Sequence, residues 1–326
     1  MTILPTAGPE PDLLAAARAG DHDAFNAMLA PHRRALHLHC YRMLASLDDA
    51  DDAMQEVQLS AWRGLDTFAG RAPLRHWLYR IATTTCLKMI RSRGRLPLPA
   101  GDLVHLQPYP DRLLDQLTAN GTDPADEVER RDSVALAFIV ALQRLPATQR
   151  AALLVRDVLA YSPAETAELL HTTVAATNSL LQRARATLRA EHIPGRRLDA
   201  VDRQVVARFV DAWRRRDIRG LASLLAEDAI LRMPPQRAEF LGRGVIADFF
   251  ATVPADGRLD RIALVDVRAN GQPALAAYLP DERGECRGYG IMVLDIADGA
   301  ITMITGFPDP ALFTAFGLPL TAPGSA

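Results

Sequence analysis

Residues Ser162 to Ala190 read SPAETAELLHTTVAATNSLLQRARATLRA, and this stretch decides how the chain is read. It predicts two helices joined by a tight turn. Ser162 suits the N-cap of the first helix, Pro163 suits its first position, and Glu165 can complete a capping box. Ala164, Ala167 and Leu170 give that helix a small apolar face. His171-Thr172-Thr173 interrupts it, and Thr172 or Thr173 can cap the second helix. Val174, Thr177, Leu181, Ala184 and Leu188 then recur at the spacing of a buried helical stripe. The other side carries Thr173, Ala176, Asn178, Ser179, Gln182, Arg183 and Arg185. Such a face suits a DNA major groove: small residues permit close approach, amides and hydroxyls meet base edges, and arginine meets guanine or phosphate. An ordinary helical hairpin with a solvated basic face would look similar, because helix-turn-helix signals are degenerate. The surroundings have to decide.

A length of 326 residues predicts two or three domains, and a hydrophobic fraction of 49% supports real cores. The net charge of -2 does not announce nucleic-acid binding. Charge is uneven, however: Arg144, Arg150, Arg156, Arg183, Arg185, Arg189, Arg196 and Arg197 gather around the candidate reader. Cys40, Cys86 and Cys286 are far apart and show neither metal spacing nor a disulfide framework, which suits a reducing cytoplasm. No signal peptide or bilayer-length apolar run is seen, so the expected location is cytoplasmic. Residues 1–11 are expected to be a flexible tail. No metal and no cofactor is expected.

Residues 12–93 read as almost all helix. Met54, Val57, Ala61 and Leu65 recur at helical spacing behind the acidic run Asp48, Asp49, Asp51, Asp52 and Glu56. Carboxylates there favour the helix dipole, and they also make an acidic face for a basic partner. Thr67–Leu74 holds Gly70 and Pro73 and reads as a loop. It feeds a helix, Arg75–Arg93, with Arg75, His76, Arg80, Lys88, Arg91 and Arg93, interleaved with Trp77 and Tyr79 and without an acidic residue. Rings that stack on bases beside cations that track phosphates suit single-stranded DNA, although Trp77 equally suits a core position.

These residues resemble region 2 of the extracytoplasmic-function, group IV sigma-70 family. The pattern is carried by Asp49-Ala50-Asp51-Asp52, Gln55-Glu56, Ala61-Trp62 and Trp77-Leu78-Tyr79-Arg80-Ile81-Ala82. It departs from the family at Asp51, Gln58 and Leu74. Leu145-Pro146 through Arg185 is similar to region 4 of the same family. The resemblance implies two all-α sigma domains and partners in core RNA polymerase and promoter DNA. It implies that Asp49, Asp51, Asp52, Gln55 and Glu56 dock on the polymerase. It implies that Phe68, Arg71, Arg75, Trp77, Arg80, Lys88 and Arg91 hold the melted −10 strand. It implies that Thr172, Thr173, Ala176, Asn178, Ser179, Gln182 and Arg183 read the −35 duplex.

Residues 94–132 read as a Pro-rich acidic linker, with a short helix at Asp111–Leu117. Its default is a solvated strand. The apolar-aromatic piece Leu106-Gln107-Pro108-Tyr109-Pro110-Asp111 is the exception, and suits docking, the C-terminal domain being one candidate. Region 4 is expected over 133–193. The tail, 199–320, reads as helices first and then a curled antiparallel sheet. Asn270-Gly271 and Asp298-Gly299 mark two hairpins. The order Trp213, Asp217, Leu221, Asp228-Ala229 and Gly242-Arg243 resembles the SnoaL-like, α+β cone-shaped fold. That fold hosts enzymes and plain binding modules. Asp228, Glu239, Asp266 and Asp295, with Arg232, Arg243, Tyr278 and Tyr289, are the groups that catalysis would draw on. No pairing is visible, so a non-enzymatic regulator in cis is expected, with a small ligand for the tail left open. The competing readings are a ligand-responsive helix-turn-helix repressor or activator, and a DNA reader fused to a SnoaL-like enzyme.

Overall fold

The structure, a computed structural model, describes residues 10–70, 72–94, 105–118, 133–189, 200–236, 238–281 and 284–322. The chain divides into two compact units. The first comprises residues 1–97 and 145–189, the second residues 98–144 and 190–326.

The first unit is helical. Helices α1 (Glu10–Arg18), α2 (His22–Leu29), α3 (Arg33–Leu44), α4 (Leu47–Gly64) and α5 (Leu74–Ser92) precede the connector. Asp21 and Ser46 cap α2 and α4 by accepting backbone N–H groups. The core between α3, α4 and α5 is apolar, with Leu36, Cys40, Met43, Val57, Ala61, Leu78 and Cys86 fully enclosed. Two buried polar links tie the helices together. His39 Nε2 lies 2.9 Å from Thr83 Oγ1, and burial pushes the imidazole down to about 3, so it is neutral. Buried Arg150 donates to the Met43 and Leu145 carbonyl oxygens, which anchors the next part of the unit to α3.

That part begins with α8 (Ala147–Leu153), which runs into a π-helical turn, Leu154–Val158. Then come α9 (Pro163–Leu169) and α10 (Val174–Arg189). The widened turn is closed by Leu159 N donating to Leu154 O.

The second unit contains the connector helix α6 (Asp111–Thr118), the helix α7 (Leu136–Gln143) that follows the connector, and the tail. The tail runs α11 (Ala200–Arg214), α12 (Ile218–Leu224), β1 (Leu225–Arg232), β2 (Glu239–Leu241), α13 (Arg243–Thr252), β3 (Ala263–Ala269), β4 (Gln272–Pro280), β5 (Cys286–Ala297), β6 (Ala300–Phe307) and α14 (Leu312–Phe316). The sheet order is β2-β1-β6-β5-β4-β3. It is mixed rather than antiparallel throughout, because β1 lies parallel to β6, a crossover that the hairpin signals could not show. Both predicted hairpins form, β3 with β4 and β5 with β6. Asn270 and Asp298 take left-handed φ values of 58° and 52°, each ahead of its glycine.

One sheet face closes over the helices with an apolar core: Phe209, Trp213, Leu221, Ile246, Phe250, Leu275, Leu294 and Ile304 among others. Over its described residues the connector is not a solvated strand. Tyr109 is fully buried and Leu106 nearly so. Pro110 forms a bridge with Ala269 at the end of β3. The β3–β4 turn does the rest. Asn270 N donates to Tyr109 O, and Asn270 Oδ1 accepts from Tyr109 N, both at 2.8 Å. Asn270 Nδ2 donates to Val134 O at 2.7 Å. Asp111 accepts from Gly271 N at 2.8 Å and from Arg268 Nε at 2.9 Å. Leu136 N donates to Gln272 Oε1 at 2.8 Å. One hairpin turn therefore holds the connector at Tyr109–Asp111 and the chain again at Val134 and Leu136, just past the connector's end.

Candidate nucleic-acid interface

The helix pair that the sequence predicts is present with its caps. Ser162 Oγ accepts from Glu165 N at 3.2 Å, and Glu165 Oε2 accepts from Ser162 N at 2.8 Å. These bonds hold the Glu165 carboxyl below the usual carboxylate range. Thr173 Oγ1 accepts from Ala176 N at 3.2 Å, so Thr173 caps α10. Thr177, Leu181 and Ala184 form the buried stripe, whereas Val174 is exposed. On α9 the buried residues are Thr166, Ala167 and Leu169, and the predicted Ala164 is exposed. Thr172, Thr173, Ala176, Asn178, Ser179, Gln182 and Arg183 are all exposed.

They do not form one face. Ala176, Ser179 and Arg183 follow one stripe at helical spacing. Asn178 and Gln182 belong to a second stripe with Arg185 and Arg189, which lines an open hollow of about 340 Å³ together with Arg156 and Pro163. The sequence could not separate these stripes, because Arg156 reaches the hollow from the π-turn.

On α5, Arg75, Lys88 and Arg91 are exposed, and the Arg75 guanidinium lies 5.4 Å from the Tyr79 ring centre. Phe68 corrects the prediction. It is buried, packed 5.0 Å from half-buried Trp77, and its carbonyl accepts from Arg18. Trp77 in turn lies against Gly64, where a Cβ would come within 3.3 Å of the ring. Both rings thus hold the loop on α4. Arg71 lies outside the described residues.

Arg80, also expected to hold the strand, faces α9 and its flanks together with His76. The His76 ring stacks 4.2 Å from Tyr161, and His76 Nδ1 lies 3.4 Å from Glu165 Oε1. Arg80 lies 3.4 Å from His171 Nε2 and 3.9 Å from Glu168. Tyr161 was not singled out by sequence; its one signal was an aromatic residue immediately before the Ser162 cap.

The acidic helix α4 also divides. Asp49 is buried, its N–H donates to Ser46 Oγ at 3.2 Å, and its carboxylate pairs with Arg93. Its place is structural, joining α4 to the end of α5, so it is not available for docking. Asp51 lies 3.2 Å from His37 Nε2, and that hydrogen bond holds its carboxyl below the usual range. Asp52, Gln55 and Glu56 are exposed beside exposed Leu59, with Asp52 3.3 Å from Arg93.

In the tail, the groups that catalysis would draw on lie mostly apart, except that Arg232 bonds Glu239 and its charge also reaches Asp295. Asp228 and Asp266 are exposed, and Glu239 accepts from Arg232 at 3.0 Å. Arg243 lies 3.7 Å from Glu227, Tyr278 Oη donates to Pro319 O at 3.0 Å, and Tyr289 is exposed. Asp295 is buried and accepts from Gln272; burial pushes its carboxyl up to about 6.

A helix-turn-helix, a basic aromatic-bearing helix and an acidic helix on one chain define a promoter-recognition protein of the sigma class. Known proteins agree with this. Residues 28–96 match the Sigma-70 region 2 family, 135–188 match Sigma-70 region 4, and 206–304 match the SnoaL-like domain. The ECF RNA polymerase sigma factor SigG of Mycobacterium tuberculosis is 40% identical over 329 residues, covering 93% of this chain and 85% of that protein. SigJ of the same organism is 31% identical over 298 residues, covering 86% and 89%. The crystal structure of M. tuberculosis SigJ matches with a TM-score of 0.62 at 23% identity, over 92% of this chain and 100% of that one, which shows a common fold. The chain belongs to the ECF RNA polymerase sigma factors, with a SnoaL-like C-terminal domain. It recognises promoters on behalf of RNA polymerase, and the repressor reading falls. No helix among the described residues is long and apolar enough to cross a membrane.

Proposed function

We propose that the tail regulates this sigma factor in cis by holding the connector between regions 2 and 4. The observation that carries this is Asn270, which bonds Tyr109 within the connector and Val134 just past its end. A connector held on the tail at Tyr109 and again just past its end cannot also run extended along another surface. In the proposed active state the β3–β4 turn lets go of it. Asp52, Gln55 and Glu56 then dock on the polymerase, and Arg75, Arg80, Lys88 and Arg91 hold the single strand. Arg80 first has to leave Glu168 and His171. The tail acts without chemistry; its apolar core and scattered carboxylates support this reading.

The test is in-vitro transcription with core polymerase, comparing the wild-type chain with Asn270→Gly and Gln272→Ala. Altered initiation by both variants at equal polymerase affinity is expected. Unaltered initiation in both would remove the connector from regulation.

A further inference from the structure

Arg18, the last residue of α1, is a cation that neither DNA assignment uses. Its guanidinium reaches the far end of α4. Nε donates to Leu65 O at 3.4 Å, and Nη2 donates to Phe68 O. No carboxylate among the described residues pairs with it. The two carbonyls bracket the short turn Leu65–Thr67, which leads from α4 into the loop before α5. The last carbonyls of a helix lack partners within it and need them from outside. Gly64 O accepts from the Thr67 hydroxyl at 2.7 Å, and Leu65 O accepts from Phe68 N at 3.2 Å as well as from Arg18. Phe68 O accepts from Arg18. Just beyond it the loop parts from packed structure. Ala69 and Gly70 are exposed, Gly70 takes a left-handed φ of 66°, and a Cβ there would meet nothing within 4 Å. Arg18 has a fixed base from which to reach. Gly20 turns the chain out of α1 with φ of 97°, and Asp21 caps α2. His22 and Phe25 of α2 then pack on Trp62 of α4, with ring centres 4.3 and 5.1 Å away.

We propose that Arg18 is a positioning residue for −10 recognition: by holding the Leu65 and Phe68 carbonyl oxygens it fixes the course of the loop after α4, so that the melted strand meets a preformed surface. This rests on the assignment of that loop and α5 to the −10 strand. Arginine suits the task because its planar fork serves two acceptors at once, whereas a lysine ammonium is a point charge. The Phe68 ring, buried against Trp77, sets how deep the loop sits, and Arg18 sets the direction in which its backbone leaves. Without the guanidinium, the loop has to be ordered when the strand binds. Fixing the backbone of one residue costs about a factor of ten in affinity. Arg18 thus adds to strand affinity without touching the strand, by removing that cost in advance.

The test uses holoenzyme formed from the full chain and core polymerase. The probes are a single-stranded oligonucleotide with the non-template −10 sequence of a promoter selected by wild-type holoenzyme, and a scrambled strand, each across a salt series. Arg18→Gln and Arg18→Lys are each expected to bind the −10 strand about tenfold more weakly and to prefer it less over the scrambled strand. Affinity for core polymerase is expected to stay at the wild-type value. Arg18→Lys keeps the charge and loses the fork, so its loss reads positioning rather than attraction. The slope of log affinity against log salt is expected to be unchanged, because Arg18 holds carbonyls; a phosphate contact would make it shallower by about 0.7 in the Gln variant. Wild-type strand binding by Arg18→Lys, that shallower slope, or an equal loss of core polymerase binding would each overturn the proposal. If wild-type holoenzyme itself does not prefer the −10 strand, the assignment of the loop falls first and the role of Arg18 with it.

Discussion

Replacing Asn270 with alanine probes the hold on the connector most directly. The side chain serves two enclosed backbone groups, the Tyr109 N–H and the Val134 carbonyl. Both residues are fully buried, so water cannot take over without local opening. A buried polar group left without its partner costs about 1–3 kcal/mol, so the two together cost roughly 2–6 kcal/mol. At about 1.4 kcal/mol per tenfold, opening of the docked connector becomes roughly 30-fold to ten-thousand-fold more frequent. Alanine also disfavours the left-handed φ of 58°. Asn270→Gly separates the effects, since it keeps the turn and loses only the side chain. Native-state hydrogen exchange reads the outcome. Exchange should accelerate by that factor at Leu113 and Leu136, whose amides donate to Pro110 O and Gln272 Oε1. Amides of the β4–β5 ladder should be unchanged. If both variants leave Leu113 and Leu136 as protected as in the wild type, the side chain does not hold the connector and the reasoning is wrong.

The same geometry sets further expectations. Arg93→Ala should lower stability by about 1–3 kcal/mol in thermal unfolding, since it takes the ion-pair partner from the Asp49 carboxylate, whose side chain is 10% exposed. Asp52→Ala and Glu56→Ala should leave the melting temperature nearly unchanged and weaken binding to core polymerase, measured by titration of labelled polymerase. Burial raises the Asp295 carboxyl from 3.8 to about 6, so the folded state binds the proton more tightly than the unfolded one. Its stabilising contribution is complete below about pH 4 and is lost as pH rises through about 6, on the order of 3 kcal/mol in all. Asp295→Asn should remove that component from stability measured by denaturant titration between about pH 4 and 7. Arg183, exposed and without an ion pair among the described residues, should cost about 1–3 kcal/mol of −35 binding when changed to alanine, with relaxed specificity if it meets a guanine.

Local chemistry made much of this legible in the sequence. Ser162, Pro163 and Glu165 announce a helix start because a cap needs only neighbours. Asn270-Gly271 and Asp298-Gly299 announce hairpins because a two-residue turn demands left-handed backbone. The stripe Thr177, Leu181 and Ala184 follows from the helical period alone. Every side chain with two possible environments stayed ambiguous. Asp49 and Asp52 lie in one acidic run, yet only the first is buried, because Arg93 reaches it from a position 44 residues away. The resemblance implied that Phe68 and Trp77 hold the strand, and Trp77 equally suited a core position; Gly64 opens a place on α4 into which Trp77 packs. Most of the connector read as solvated chain and Leu106–Asp111 as a piece suited to docking, but the partners of Tyr109 and Asp111, about 160 residues further on, had no local signal. The sequence by itself determined the order of domains, the helix-turn-helix and the two hairpins, all written in spacings of a few residues. Tertiary structure alone decided which charges remain free to meet polymerase and DNA, because a charge's partner is set by distance in space.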